Sequence, residues 1–224
     1  MNEEIKNIPQ SILNVMHSVD SKLDGESVQF SDIPIHDILE YFEYKPLELY
    51  NLYTYARWST GISCPMCESE TIAADIGFNV CDAPYYRCVG NLKIEGHRFN
   101  VFENTVFEEI KFKTTPLINW TKFVVFYLSY PPTKEPTVQA LIKILGTDNH
   151  NIFKQNPSAK AILVMLLHAK KSKIFGRKFE IDSFGQLIKV LKWMMSFDRT
   201  GSVDSERITS VFFADDTKRR KKRK

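Results

Sequence analysis

The 224-residue chain is poor in several features, and each shortage excludes a class of protein. No apolar run approaches the roughly 18–20 residues of a membrane-spanning helix. The longest, Ala161 to Leu167, suits a core helix at most. The N-terminal MNEEIK lacks the apolar segment that directs secretion, so a secreted protein is not expected. Cysteine is scarce: Cys64, Cys67, Cys81 and Cys88 are the full set. Without a secretion signal, a disulfide framework is not their default reading. Glycine-rich phosphate loops are missing, because Phe175-Gly176-Arg177 is too short for one. No G-x-S-x-G or H-E-x-x-H motif is present, which removes two familiar hydrolase signatures. What remains is ordinary for a folded domain, with 43% hydrophobic and 25% charged residues.

Charge is unevenly spread. The net charge of +3 depends on the last seven residues, Lys218 to Lys224, which are all Lys or Arg. Without them the balance is 23 basic to 27 acidic residues. Residues 1–50 carry ten acidic and three basic side chains. Acidic residues are absent from Asn149 to Phe179, a stretch that holds Lys154, Lys160, Lys170, Lys171, Lys173 and Arg177. A basic stretch of this kind is expected to meet a polyanion. The terminal KRRKKRK cannot pack against itself and reads as a nuclear import signal or a nucleic-acid arm.

Along the chain, residues 1–27 read as a flexible extension and 28–62 as a helical lead-in. Asp37 to Tyr44 has helical texture, and Pro46 suits the first position of a helix running to about Arg57. Residues 63–110 change texture. Tyr85–Val89 and Arg98–Phe102 read as strands of β-hairpins. Residues 111–176 are helical again: one helix after Pro116, a second over Val138 to Leu145 stopped by Gly146, and a third from Asn156-Pro157 to about Lys171. The helices from Thr137 to Lys171 are expected to form a helix-turn-helix-like unit. Residues 177–217 read as three strands, Lys178–Phe184, Lys192–Asp198 and Ile208–Ala214, with Gly185–Leu191 open between helix and strand. The third strand would leave an apolar sheet edge, which a homodimer or a protein partner is expected to cover.

Cys64-Pro65-Met66-Cys67 is a C-x2-C knuckle, which lets two thiolates from one turn share a tetrahedral metal, usually zinc. A redox pair is disfavoured because no βαβ pattern flanks it. Cys88 is the natural third ligand. The fourth is either Cys81 or His97, with His97 preferred. Four filled positions would make the zinc structural, leaving none for water.

The run Arg57-Trp58, Gly61, Cys64-Pro65-Met66-Cys67 is followed by Tyr86-Arg87-Cys88, His97, Phe99-Asn100-Val101, Asn104-Thr105-Val106-Phe107-Glu108 and Pro116-Leu117-Ile118-Asn119-Trp120. In order and spacing, over about residues 40–130, this resembles the zinc-ribbon half of Merlin-type DDE transposases and their bacterial insertion-sequence relatives. Two departures stand out. Eight residues separate Cys88 from His97 where the family usually has a close pair, and Asn104 stands where Gly is usual. The resemblance implies a DNA-binding ribbon and helices, then an RNase H-like nuclease core with three carboxylates holding two Mg2+ ions. Asp182 in Phe179-Glu180-Ile181-Asp182-Ser183 matches the first of those carboxylates. Only 42 residues follow it, too few for the remaining strands and helices.

The sequence therefore leads to an α+β protein with a helical lead-in, a zinc β-ribbon, a helix-turn-helix-like region and a truncated three-stranded RNase H-like remnant. The expected function is a nuclear, catalytically inactive transposase derivative that binds duplex DNA. Arg87, Arg98, Lys154, Lys160, Lys170, Lys171, Lys173 and Arg177 would contact phosphates, and one structural Zn2+ would sit on Cys64, Cys67, Cys88 and His97. The alternative is a zinc-stabilised protein–protein adaptor in a nuclear complex. No membrane association is expected.

Overall fold

The computed structural model describes residues 33–58, 61–78, 84–89, 96–131, 136–176 and 179–197. Among them are seven helices and one three-stranded antiparallel sheet. No helix in this set is long and apolar enough to cross a membrane. The order is α1 (Ile35–Tyr44), α2 (Pro46–Arg57), β1 (Ile72–Phe78), β2 (Pro84–Cys88), β3 (Arg98–Asn100), α3 (Leu117–Ser129), α4 (Val138–Leu145), α5 (Ile152–Gln155), α6 (Pro157–Lys171) and α7 (Phe184–Met195).

The helix limits follow local chemistry. Pro46 opens α2, where its missing N–H costs nothing. The Thr137 hydroxyl accepts the Ala140 N–H at the start of α4, and Gly146 ends it with φ 64°, its N–H turned back on the Ile142 and Lys143 carbonyls. Asn156 caps α6, accepting the Ala159 N–H at 2.8 Å, and Pro157 follows. The Asn156 amide also donates to the Glu109 carbonyl, while the Glu109 N–H donates to the Ser158 hydroxyl, each at 3.0 Å. Residues after the sheet are thereby clamped to the N-terminus of α6.

The main core lies among the helices. Tyr53, Trp120, Phe123 and Tyr127 are fully buried, and so is Phe107 from the strap between β3 and α3. Burying a large apolar side chain contributes about 1.5–3 kcal/mol, so this strap belongs energetically to the helical body. The Phe102 ring lies tilted 4.8 Å from that of Phe112 and packs edge-on to Tyr50 and Tyr53.

α6 runs through the middle of this body. Ile162 to Leu167 are six consecutive buried residues, so the helix is enclosed on every side through its central turns. The helices expected between Thr137 and Lys171 are present, and the central turns of the last offer no exposed face.

The strand reading is corrected over residues 179–197. Phe184–Met195 is a helix, and residues 179–182 have no regular structure. Phe184, Leu187, Val190, Leu191, Met194 and Met195 are buried at helical spacing against α2 and α1. The truncated RNase H-like sheet is not formed over 179–197. Ile208–Ala214, Arg177, Cys81, the 1–27 extension and the basic tail lie outside the described residues. Asp182 is exposed; its N–H donates to Gln186 Oε1 at 2.7 Å, and its carbonyl accepts the Ile35 N–H at 2.8 Å.

Candidate metal centre

The sheet has a small core of its own. Cys64, Ile72, Cys88 and Phe99 are buried together, with Trp58, Ile62 and Tyr86 packed against them. β1 pairs with β2 so that Ile72 faces Cys88, and β2 pairs with β3 so that Tyr86 faces Phe99. The Trp58, Tyr86 and Phe99 rings lie 5.8–6.1 Å apart and join the sheet to the end of α2. Arg57 adds a polar tie, donating to the Val101 carbonyl at 2.6 Å while its guanidinium covers the Trp58 ring.

Four donors converge at one end of this sheet. Cys64 and Cys67 come from a tight turn in which the Glu68 N–H donates to the Cys64 carbonyl and the Cys64 N–H to the Ser69 carbonyl. Glu68 closes the turn at φ 58°, a left-handed position where a non-glycine residue carries strain. Cys88 ends β2, and its N–H donates to the His97 carbonyl at 2.8 Å. That bond brings His97 beside Cys88 despite the eight-residue interval.

The ligand atoms of Cys64, Cys67, Cys88 and His97 all lie within 4.8 Å of one another. Cys67 Sγ is 3.5 Å from Cys88 Sγ, and Cys64 Sγ is 3.5 Å from His97 Nδ1. Tetrahedral ligands at zinc-like bond lengths stand about 3.5–3.8 Å apart. The donor set therefore fits a metal ion and could hold one. Binding through Nδ1 would leave the imidazole proton on Nε2. In the metal-free cluster the Ser69 N–H draws the Cys67 thiol down, but Cys88, burial and Cys64 together outweigh it and push it up. Metal ligation takes cysteine as thiolate, so a bound cation would favour that form.

Two further residues shape the centre: Gly96, which sequence reading did not single out, and Asn104, which it noted only as a departure. Gly96 has no room for a side chain: a Cβ there would lie 2.4 Å from the Cys88 carbonyl oxygen. Asn104 adopts φ 56°, which asparagine tolerates better than most residues, and its Nδ2 donates to the Pro65 carbonyl at 3.2 Å. Asn104 thus combines a left-handed backbone with a strut to the knuckle. Only the glycine comparison at Asn104 hinted at this in the sequence.

The expected phosphate contacts divide. Arg87 and Arg98 are exposed and directly opposite on β2 and β3, with the Arg98 guanidinium 4.2 Å above the Tyr85 ring. Lys154 is exposed on α5, Lys160 is half-buried in α6, and Lys171 and Lys173 are exposed at the end of α6. Lys170 is engaged inside the fold. Its Nζ donates to the Tyr127 and Tyr130 carbonyls at 3.1 and 2.6 Å, at the C-terminal end of α3.

Comparison with known protein families, with curated proteins and with solved structures returned no match for this chain.

Proposed function

We propose that this protein is a nuclear duplex-DNA-binding protein organised by one structural zinc ion, descended from a transposase and without nuclease activity. The observation that carries the reading is the Cys64, Cys67, Cys88 and His97 cluster. Its donor types suit zinc, and all four tetrahedral positions are supplied by the chain, so the ion would hold the fold rather than activate water. The outward pair of Arg87 and Arg98 supports a phosphate contact on the sheet, and Lys154, Lys171 and Lys173 add exposed cations on the helical body. These groups would position the protein on the backbone of DNA without reading its sequence.

The test is a salt series of duplex-DNA binding by the full chain and by a variant with all seven tail residues changed to serine, with metal content measured in each sample. One zinc per chain is expected, and a log K against log salt slope of about −4 to −6 in the tail variant. Changing Arg87 and Arg98 to Ala should reduce that slope by about 2. Binding that disappears with the tail would overturn the reading.

The second reading, a zinc-stabilised protein–protein adaptor, is favoured by one feature. Tyr44 and Leu47, at the turn between α1 and α2, are 75% and 50% exposed, an apolar pair beside the acidic Glu40 and Glu43. Loss of DNA binding with the tail would shift the assignment to this surface.

A further inference from the structure

The three thiols of the metal centre differ in access. Cys64 and Cys88 are buried, while Cys67 is exposed at the knuckle. An oxidant in solution therefore meets Cys67 first. The sulfur of Cys88 is 3.5 Å away, so a second thiol waits within contact distance of the first. A disulfide needs about 2.0 Å, a closure of about 1.5 Å. Cys64 also neighbours Cys67, but it shares the same short turn, and its sulfur stands 3.5 Å from His97 Nδ1. Cys67 lies in a turn, whereas Cys88 is fixed by its N–H bond to the His97 carbonyl and by pairing with Ile72.

We infer that the metal centre is also an oxidation-sensitive release, in which peroxide joins Cys67 to Cys88 and the bound ion departs. The inference rests on the metal-binding reading above. The Cys67 thiolate attacks one oxygen of hydrogen peroxide and expels hydroxide, becoming a sulfenic acid. The Cys88 thiolate attacks that sulfur, forms the S–S bond and expels a second hydroxide. The two sulfurs give two electrons to the peroxide, and two protons from solvent convert the hydroxides to water. A neighbouring thiol this close stops oxidation at the disulfide, the rung that thiols can reverse. The ion is left with Cys64 and His97, half its ligand set, and the two-ligand site loses it. The disulfide then ties the knuckle to β2 in place of the ion, while Cys64 and His97 lose the link that the ion gave them.

The experiment uses the full chain with zinc content measured at the start. Hydrogen peroxide is added in steps while a chromophoric chelator reports free zinc. Thiols are counted and peptides mapped at each step. The expected result is loss of the zinc together with two thiols, a cross-link between the peptides holding Cys67 and Cys88, and recovery of both by a dithiol reductant with added zinc. The Cys81→Ser variant should behave identically. A cross-link from Cys67 to Cys64 or to Cys81 overturns the inference. So does thiol loss without a disulfide, or zinc retained after two thiols are gone. A chain that holds no zinc at the start sinks the metal reading and the release with it, whereas a zinc-loaded chain that fails to cross-link sinks the release alone.

Discussion

The Asn104 side chain reaches back from the strap after β3 and donates to the Pro65 carbonyl inside the metal knuckle. Two independent effects meet in this residue, its left-handed backbone and its hydrogen bond. They can be separated by substitution. Asn104→Gly removes the bond but keeps the backbone easy, and should cost about 1 kcal/mol. Asn104→Ala removes the bond and adds left-handed strain, and should cost about 1–2 kcal/mol more. Urea midpoints of the two variants check the order. Equal losses would show that the backbone angle carries no weight.

Gly96 should be intolerant of even one methyl group. A Cβ 2.4 Å from the Cys88 carbonyl oxygen must displace backbone, since the nearest obstructing atom belongs to the main chain. Overpacking of this kind costs about 1–3 kcal/mol. Because the displaced strands carry Cys88 and His97, Gly96→Ala should also weaken metal retention in a chelator competition. Unchanged retention would mean that the two ligands move as a unit.

Tyr53 and Thr121 share a buried hydrogen bond of 3.1 Å between α2 and α3. Thr121 spends its one proton on the Leu117 carbonyl at 3.0 Å, so Tyr53 must be the donor. Burial pushes the Tyr53 phenol far above its ordinary value, so it stays protonated at any working pH. Tyr53→Phe should cost about 1 kcal/mol, since Thr121 keeps its own bond. Thr121→Val should cost more, because it strands the buried Tyr53 hydroxyl. Thermal midpoints compare the two.

Arg57, at the joint of body and sheet, feels the charge of two carboxylates, Glu103 and Glu108. Burial pushes Arg57 down to about 10, against the opposing pull of those two carboxylates, and it stays charged at neutral pH. Burial also raises Glu103, with help from Glu108 and against the pull of Arg57. The folded state therefore holds the Glu103 proton more tightly than the unfolded state does. Stability from this group is full below pH 4.5, the ordinary value, and is lost as pH rises through the elevated folded value. Glu103→Gln should be more stable than the parent at pH 7, with the difference vanishing below pH 4.5. Denaturant midpoints across that range check the direction.

Much of the helical body could be read from the chain because its helices begin and end on local chemistry. Pro46, Thr137, Gly146 and Asn156-Pro157 mark limits that the backbone obeys. The metal ligands were legible for a similar reason: the C-x2-C spacing fixes a turn, and Cys88 and His97 are the residue types it needs. α7 misled because Phe, Ile, Val and Trp favour strands as well as buried helix faces. The start signal was Ser183 with Gln186 three residues on, and Gln186 does reach back to the Asp182 N–H. β1 was missed because Ile72-Ala73-Ala74-Asp75-Ile76-Gly77-Phe78 alternates poorly. The roles of Gly96 and Lys170 depend on backbone passing nearby from distant parts of the chain, and no local pattern encodes that.

The bridge between Pro34 and Ser183 has a consequence for synthesis. The Phe184 N–H donates to the Ile33 carbonyl and the Ile35 N–H to the Asp182 carbonyl, so the beginning of the helical body is closed by its last helix. α2 leaves the ribosome more than a hundred residues before α7, its main packing partner. At translation rates of about 5–20 residues per second, that interval is roughly 6–25 s. During it the apolar face of α2 lacks its final cover, and a nascent chain arrested before residue 183 should be held by chaperones rather than released as a finished domain. The segment with the four candidate metal ligands, complete by residue 97, needs no such wait.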